Sequence, residues 1–212
     1  MSVRILIADD HGIVRKGLRA LLQSKRGWEI CAEVSNGRDA VKMAKDLKPD
    51  VAILDISMPQ LNGVEALRQI RKVSPCTETL MLSMYRSERL VREAVDSGAR
   101  GYLAKDDADH MLVAAVEAVR HHHPYFTSRI AEAIALGRGR PGDKSRRSAL
   151  TPRQREIIQL LAEGKSNKEV ATILNISVKT AETHRANIML RLHLHSFADL
   201  MHYAIRNEII HH

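Results

Sequence analysis

The stretch VAILDISMP, residues 51–59, is an apolar run that ends at a carboxylate, Asp55. The same pattern occurs earlier in ILIADD, residues 5–10, where an aliphatic run leads directly into Asp9 and Asp10. Buried strands rarely carry a charge unless that charge has a partner or a ligand. Two strands that end in acid therefore indicate a polar site at one edge of a sheet.

Short apolar runs typical of strands alternate with amphipathic helical segments through the first half of the chain. The predicted strands are residues 3–8, 28–34, 51–54, 79–83 and 101–104, and the predicted helices are residues 12–24, 38–47, 64–73, 88–97 and 108–120. This alternation predicts right-handed crossovers and a parallel sheet covered on both faces. We therefore expect an α/β domain with a five-stranded, doubly wound parallel sheet, whose ligands bind beyond the carboxyl ends of the strands.

A linker separates this domain from a further run of helical patterns. Residues 138–148, RGRPGDKSRRS, are rich in Gly, Pro, Ser and charge, which is typical of a flexible linker. The N-cap signals Thr151, Ser166, Ser177 and Ser196 then predict helices near residues 152–163, 167–174, 178–192 and 197–209. The second and third of these helices are joined only by NIS, the spacing of a helix-turn-helix. We therefore expect a small all-α domain of four helices.

The formal net charge of +8 is unevenly distributed along the chain. Residues 1–120 hold 19 Lys and Arg against 17 Asp and Glu, whereas the remaining residues hold 14 against 8, with the excess densest in the linker. A basic excess favours a polyanionic partner for the second half. The predicted domain limits are residues 1–121, a linker over residues 122–148 with a short helix and a basic flexible segment, and residues 149–212.

Composition argues against several classes of protein. No apolar stretch approaches the roughly 18 residues that a membrane span needs, and the chain meets Asp9 and Asp10 before a signal-peptide core could form. Two cysteines without a CxxC motif fit a reducing compartment and offer no metal-site spacing. We therefore expect a cytoplasmic protein with no membrane partner. Because aromatic residues make up only 3% of the chain, base stacking on aromatic side chains is not expected.

Three carboxylates at one sheet edge repel one another, at a cost of about 4 kcal/mol for each pair ~4 Å apart at an effective dielectric constant near 20. A hard divalent cation such as Mg²⁺ neutralises a cluster of this kind. An Asp held beside Mg²⁺ can act as a nucleophile toward a phosphoryl group. Ser83 ends the fourth predicted strand and Lys105 follows the fifth, so a hydroxyl and an ammonium are available to hold phosphoryl oxygens.

The segments ADDH, LDISMP with Gly63 downstream, LSM and GYLAK, in this order over residues 1–120, resemble the receiver domain of bacterial response regulators. The resemblance implies a flavodoxin-like domain that is phosphorylated on an aspartate. The implied roles are phosphoacceptor for Asp55, Mg²⁺ binding for Asp9, Asp10, Asp55 and the backbone carbonyl of Ser57, and phosphate or switch contacts for Ser83, Lys105 and Tyr102.

Residues 150–192 resemble the LuxR-type helix-turn-helix, and its union with a receiver is the architecture of the NarL/FixJ family of response regulators. The resemblance implies a transcription regulator rather than an enzyme. Its implied partners are a histidine kinase, double-stranded DNA and a second copy of the chain, on DNA or when phosphorylated, with RNA polymerase as a further candidate. The expected DNA contacts are Lys165, Lys168, Lys179, Thr180, Glu182, Thr183, His184 and Arg185.

Two residues fit the resemblance less simply. His11 follows the acidic pair at the start of a helix, where a histidine more often caps the helix or donates a local hydrogen bond than binds a metal. Glu182 places a negative charge on a surface that is expected to bind a polyanion. Only the amino group of an exposed cytosine would favour a carboxylate at that place; otherwise Glu182 acts by positioning its neighbours.

Two other classes of function are compatible with the residues. A Mg²⁺-dependent phosphatase would use Asp55 as a turnover nucleophile, although such enzymes commonly carry a second Asp where this chain has Ser57. A constitutive DNA-binding scaffold whose receiver never takes phosphate is also consistent, because a complete pocket does not prove that a kinase exists. No GxxxxGK[ST] motif is present, which argues against an NTPase.

Overall fold

The apolar runs of the first half form strands that alternate with helices, and the bounds of the predicted elements are correct to within one residue. The computed structural model describes residues 2–84, 87–127 and 150–210. In chain order, the first half contains β1 (Val3–Ala8), α1 (Gly12–Gln23), β2 (Trp28–Val34), α2 (Gly37–Leu47), β3 (Val51–Asp55), α3 (Gly63–Val73), β4 (Glu78–Ser83), α4 (Glu88–Ser97), β5 (Gly101–Ala104), α5 (Ala108–Arg120) and β6 (Tyr125–Phe126).

All of these strands pair in parallel, in the order β2-β1-β3-β4-β5-β6. The expected five-stranded sheet is therefore wrong in its number of strands. The extra strand, β6, is two residues long and lies in the range predicted as linker. It forms because the chain turns at His122, whose φ is 62°, so that the backbone N–H of Tyr125 donates to the carbonyl of Arg100 at 3.1 Å. A two-residue strand has no periodicity that a sequence pattern could show.

Each face of the sheet has its own hydrophobic core, because successive residues of a strand point to opposite sides. Leu6 and Leu54 pack with buried residues of α2, α3 and α4, whereas Ile5, Ile7 and Ile53 pack with buried residues of α1 and α5. Coverage on both faces explains why these strands are apolar throughout.

The strand order reverses between β1 and β3, and this reversal positions the acidic residues. The two strands are neighbours, with Ala8 paired to Leu54. Asp9 and Asp55 follow these two paired residues directly, so the sheet register brings both carboxylates to the same edge. In open parallel sheets this is the edge at which ligands bind.

The chain divides into two compact units, Met1–Pro141 and Gly142–His212. The described part of the second unit contains the helices α6 (Pro152–Ala162), α7 (Asn167–Leu174), α8 (Val178–Arg191) and α9 (Phe197–Arg206). The predicted end of the last helix at residue 209 is wrong by three residues, because the backbone turns at Glu208, whose φ is 54°. The short helix and the basic segment predicted inside the linker fall in residues 128–149 and lie outside the described residues. No helix among the described residues has the length and apolar character needed to cross a lipid bilayer.

The predicted caps of these helices are confirmed. Thr151 with Gln154 and Ser166 with Glu169 form capping boxes, and the left-handed Asn175, with a φ of 51°, ends α7. The Ser177 hydroxyl accepts a hydrogen bond from the backbone N–H of Thr180 at 3.0 Å and so begins α8. Strong signals at both helix ends fix the short turn between α7 and α8. The core of this unit includes Ile157, Leu160, Ile188 and Leu200.

One glycine of the first unit is required by a close backbone approach. Gly37 begins α2, and a Cβ atom added there would overlap the carbonyl oxygen of Leu61, which is fully buried in the loop between β3 and α3. The helix start and this loop can therefore pack together only where no side chain is present. By contrast, Gly17 is exposed in the middle of α1, and an added Cβ would meet nothing within 4 Å.

The two glycines should respond oppositely to alanine. Gly37→Ala should lower the free energy of unfolding by about 1–3 kcal/mol, because a buried backbone must shift to admit the methyl group. Gly17→Ala should raise it by about 0.5–1 kcal/mol, since alanine loses less conformational freedom in a helix. Urea denaturation followed by circular dichroism measures both. Equal midpoints for Gly37→Ala and the wild type would show that α2 does not contact the loop in solution.

Candidate functional site

The centre of the acidic site consists of two buried carboxylates that share one ammonium. Asp9 and Asp55 are 0% and 2% exposed, and each follows or ends a central strand. The Nζ atom of Lys105 lies 2.8 Å from Oδ2 of Asp9 and 2.9 Å from Oδ2 of Asp55. Lys105 reaches both carboxylates because it comes directly after β5, at the same edge of the sheet. The prediction that these three residues converge is confirmed.

Asp10 and His11 form the exposed rim of the same site. The Nδ1 atom of His11 lies 2.7 Å from Oδ1 of Asp10 and 3.4 Å from Oδ1 of Asp9. The backbone N–H of His11 donates to Oδ1 of Asp9 at 2.8 Å. His11 is the N-cap residue of α1, as predicted, but its side chain makes no capping hydrogen bond and faces the acidic pair instead.

The pKa of Asp55 is raised to about 6. Burial is the largest cause and the negative charge of Asp9 acts in the same direction, whereas the Lys105 ammonium and the backbone N–H of Ser57 oppose the rise. For Lys105, burial acts to lower the pKa, but attraction to Asp55 and hydrogen bonds to Asp9 and Asp55 outweigh it, so the pKa is raised. Both directions have one cause: the pocket is poor in water and holds more negative than positive charge.

The donor set of the site fits a divalent cation. Asp9, Asp10, His11 and Asp55 offer ligand atoms that all lie within 4.8 Å of one another. Three carboxylates face one ammonium, so the cluster retains negative charge that a cation would neutralise. Oxygen-rich sites of this kind suit hard ions such as Mg²⁺.

The remaining predicted residues lie near this centre in different environments. Ser83 is buried at the end of β4, one residue after Leu82, which pairs with Asp55. Ser57 lies in the loop that follows β3, and its backbone N–H reaches the Asp55 carboxylate. The Tyr102 side chain is completely buried, packed in the core shared with α3 and α4.

One contributor to the site is absent from the sequence prediction. The Arg15 guanidinium, one helical turn into α1, donates from Nη1 to the backbone carbonyl of Asp9 at 2.6 Å. This contact fixes the backbone at the point where β1 ends. A basic residue six positions after the aspartate has no distinguishing pattern, so no local signal could have identified it.

In the second unit, the predicted DNA contacts lie mostly on the exposed face of α8. Four of them, Lys179, Thr180, Glu182 and Thr183, are exposed, and His184 and Arg185 are partly buried. The opposite face holds the buried Ala181 and Ile188, which pack into the core of the unit. Lys168 is exposed in α7, and Lys165 is partly buried just before it.

Two of these side chains already have local hydrogen bonds. The Thr180 hydroxyl lies 2.8 Å from the Ser177 hydroxyl, and the Thr183 hydroxyl donates to the carbonyl of Lys179 at 2.9 Å. These contacts hold each hydroxyl in one orientation but leave lone pairs that can accept a further hydrogen bond. Lys179 and Glu182, in contrast, make no side-chain hydrogen bond or ion pair with any residue that the structure describes.

The two units together define the class of protein: a receiver domain joined to a LuxR-type helix-turn-helix, which is a two-component response regulator that acts on transcription. Residues 5–117 match the family model of the response regulator receiver domain, and residues 148–204 match that of bacterial regulatory proteins of the luxR family. The chain belongs to the NarL/FixJ family of response regulators, and it is not an enzyme, so the phosphatase alternative is wrong.

Curated relatives are similar over nearly the full length. The chain is 34% identical to the transcriptional regulatory protein MctR of Rhizobium johnstonii, over 99% of this chain and 96% of that one. It is 32% identical to the response regulator UvrY of Escherichia coli, over 98% and 95%. It is 31% identical to BvgA of Bordetella pertussis, a virulence factors putative positive transcription regulator, over 99% and 100%.

Solved structures are also similar to this chain over nearly its full length. The response regulator ChrA of a heme-sensing two-component system is 32% identical, with a TM-score of 0.54 over 99% of both chains. RcsB of Salmonella enterica serovar Typhimurium, solved bound to the promoter P1flhDC in the presence of the phosphomimetic BeF₃⁻, is 26% identical. Its TM-score is 0.63 over 97% of this chain and 100% of that one.

The raised pKa of Asp55 predicts that this carboxylate weakens the fold at neutral pH when no cation is bound. Its contribution to stability is most favourable below the ordinary pKa near 4 and declines as the pH rises through about 6. In EDTA, Asp55→Asn should therefore gain stability relative to the wild type between pH 4.5 and pH 7.5, by about 1–3 kcal/mol. Urea denaturation at both pH values measures this difference. A difference independent of pH would contradict the assigned burial of the charge.

Proposed function

We propose that a partner histidine kinase phosphorylates Asp55 and that this modification controls the binding of the second unit to double-stranded DNA. The observation that carries the proposal is the convergence of Asp9, Asp55 and Lys105 at one sheet edge, with an ammonium within 2.9 Å of the proposed phosphoacceptor. Membership in the response regulator family supports the same conclusion.

In the proposed reaction, an oxygen of the Asp55 carboxylate attacks the phosphorus atom of the donor, and the bond from phosphorus to the donor atom breaks. That donor atom is a histidine nitrogen of the kinase, or the carboxyl oxygen of acetate when acetyl phosphate is used. Lys105 holds a phosphoryl oxygen by charge, and the Ser83 hydroxyl donates to another. Three equatorial oxygens carry the charge of the transferring group, so fixed donors around them lower the barrier.

The resident cation in this proposal is Mg²⁺, held by Asp9, Asp10, Asp55 and the backbone carbonyl of Ser57. The three carboxylates and the surplus negative charge of the cluster support this assignment. When bound, Mg²⁺ screens the negative charge of the incoming phosphoryl oxygens from the carboxylates. Lys105 pairs with Oδ2 of both Asp9 and Asp55 and so offsets part of their charge whether or not a cation is bound.

The proposed switch links the phosphoryl group to the surface beside α4. Phosphorylation adds close to two negative charges, which recruit the Ser83 hydroxyl and the Lys105 ammonium. Movement of Ser83 changes the packing of Tyr102, whose ring lies in the core against α4. The sequence predicts that Met84, Tyr85, Val91 and Val95 lie on this surface. Met84 is 59% exposed and Val95 is partly buried, but Val91 is buried in the core of the first unit, so its place on the surface is wrong; Tyr85 lies outside the described residues. A bias of a few kcal/mol between the two arrangements is sufficient to shift the population.

The second unit is proposed to bind DNA through α8, placed in the major groove. Its exposed polar face and its short turn to α7 support a helix-turn-helix mode of binding. Lys165, Lys168 and Lys179 are assigned to phosphates, and the polar residues of α8 to base edges. Two copies of the chain are proposed to bind a palindromic operator, by analogy with the symmetry of such sites.

We also propose the domain limits 1–121 and 149–212, with a linker over 122–148, and action in the cytoplasm, where DNA and a kinase are both accessible. Matches to the two family models at residues 5–117 and 148–204 support these limits. RNA polymerase stays a predicted partner.

A single covalent adduct tests the phosphorylation. Incubation of the full chain with acetyl phosphate and Mg²⁺, followed by intact mass measurement, should show one added phosphoryl group. Asp55→Asn should abolish the adduct, because the nucleophile is lost, whereas Asp46→Asn, an exposed acid of α2, should retain it. An adduct of equal yield in Asp55→Asn would place the phosphoryl group elsewhere, and no adduct in the wild type would favour the constitutive scaffold.

The salt dependence of DNA binding tests the role of Lys179. Each phosphate contact contributes a slope of about −0.9 to the plot of log affinity against log salt concentration. Lys179→Ala should therefore weaken binding to all sequences alike and reduce that slope by about one. Lys45→Ala, on α2 of the first unit, serves as the charge-matched control and should leave the slope unchanged. Fluorescence anisotropy over a salt series measures both, and an unaltered slope for Lys179→Ala refutes its phosphate role.

A further inference from the structure

The DNA-facing side of α8 contains one carboxylate among basic and small residues. Lys179, Glu182 and Ala186 are all exposed, and their spacing of three and four residues places them on one face of the helix. Ala181 and Ile188, on the other side, are buried. Glu182 is therefore presented outward by the same geometry that presents the basic residues.

Glu182 has no structural role that would explain it. Its carboxylate makes no hydrogen bond and no ion pair with any described residue, although Lys179 and Arg185 each lie one helical turn away in the sequence. Three other acids among residues 150–210 are used within the fold. Glu169 and Asp199 complete capping boxes, and Glu156 pairs with Arg153 at 3.0 Å.

A free carboxylate on a surface that binds DNA opposes binding, because it faces a dense array of phosphates. It becomes favourable only where a base edge offers a hydrogen-bond donor without a neighbouring acceptor. In the major groove, the N4 amino group of cytosine is that donor. Adenine presents its amino group beside the N7 acceptor, while guanine and thymine present acceptors to the groove and repel a carboxylate.

From this we infer that Glu182 selects a C·G base pair at one position of each half-site, with cytosine as the base it contacts. The inference rests on the proposed binding of α8 in the major groove. It adds to the proposed DNA binding one base pair that the operator must contain. Ala186, four residues further along the same face, has only a methyl group and leaves room for the base edge beside Glu182.

Selection from a random double-stranded DNA library tests the inference with the full chain, treated with acetyl phosphate and Mg²⁺. The wild type should enrich a motif with C·G at one position of each half-site. Glu182→Ala should lose the preference at that position alone. Glu182→Gln should move it toward A·T, because the amide of Gln matches the donor and acceptor pair of adenine.

A matched variant separates base recognition from simple loss of charge. Glu163→Gln removes the same charge from the end of α6 and should leave every base preference unchanged. In anisotropy measurements, exchange of the selected C·G for T·A should weaken wild-type binding roughly tenfold but change Glu182→Ala binding by less than about twofold.

The outcomes distinguish this inference from the proposed function. If Glu182→Ala and Glu182→Gln enrich the same motif as the wild type at every position, Glu182 does not read a base, and DNA binding itself stands. If the wild type retains no DNA under any condition, the proposed function and this inference both fail. Because Glu182 is exposed and unpaired among the described residues, its variants should fold as the wild type does, which thermal denaturation monitors.

Discussion

The site of the first unit depends on the ion pairs that the Lys105 ammonium makes with both Asp9 and Asp55. A parallel sheet with β1 beside β3 places Asp9 and Asp55 at one edge, and both side chains are buried there. Two buried carboxylates without a cation would be strongly unfavourable. One ammonium, within 2.9 Å of both, makes the arrangement possible but leaves it short of positive charge. Burial, together with the negative charge of Asp9, raises the pKa of Asp55 in spite of the ammonium, and such a site favours a further cation.

Local sequence signals were sufficient to predict the elements and the centre of the site. Strand ends, apolar periodicity and helix caps act over a few residues, so β3 with Asp55 and the caps at Thr151 and Ser166 could be identified from the sequence. Because parallel strands share an edge, the meeting of Asp9, Asp55 and Lys105 followed from topology and needed no side-chain detail.

The features that the sequence did not predict depend on contacts between distant segments. The strand β6 exists because β5 offers an unpaired edge to Tyr125, and two residues alone have no tendency to form a strand. Arg15 reaches the carbonyl of Asp9 only because α1 packs against the end of β1. In each case the contact is determined by another segment of the fold and not by the sequence around the residue.

In the second unit, the residues that anchor α8 in the core differ from the residues that α8 exposes to solvent. Only Ala181 and Ile188 of that helix are buried, whereas α6 buries seven residues from Glu156 to Ala162. The start of α8 is fixed by the Ser177 cap, whose hydroxyl accepts from the backbone N–H of Thr180 and lies 2.8 Å from the Thr180 hydroxyl. Substitutions at the exposed Lys179, Glu182 and Ala186 therefore change no core contact and no hydrogen bond of the cap. The affinity and base preference of this surface can vary while the fold stays constant, since stability resides in α6, the caps and the core.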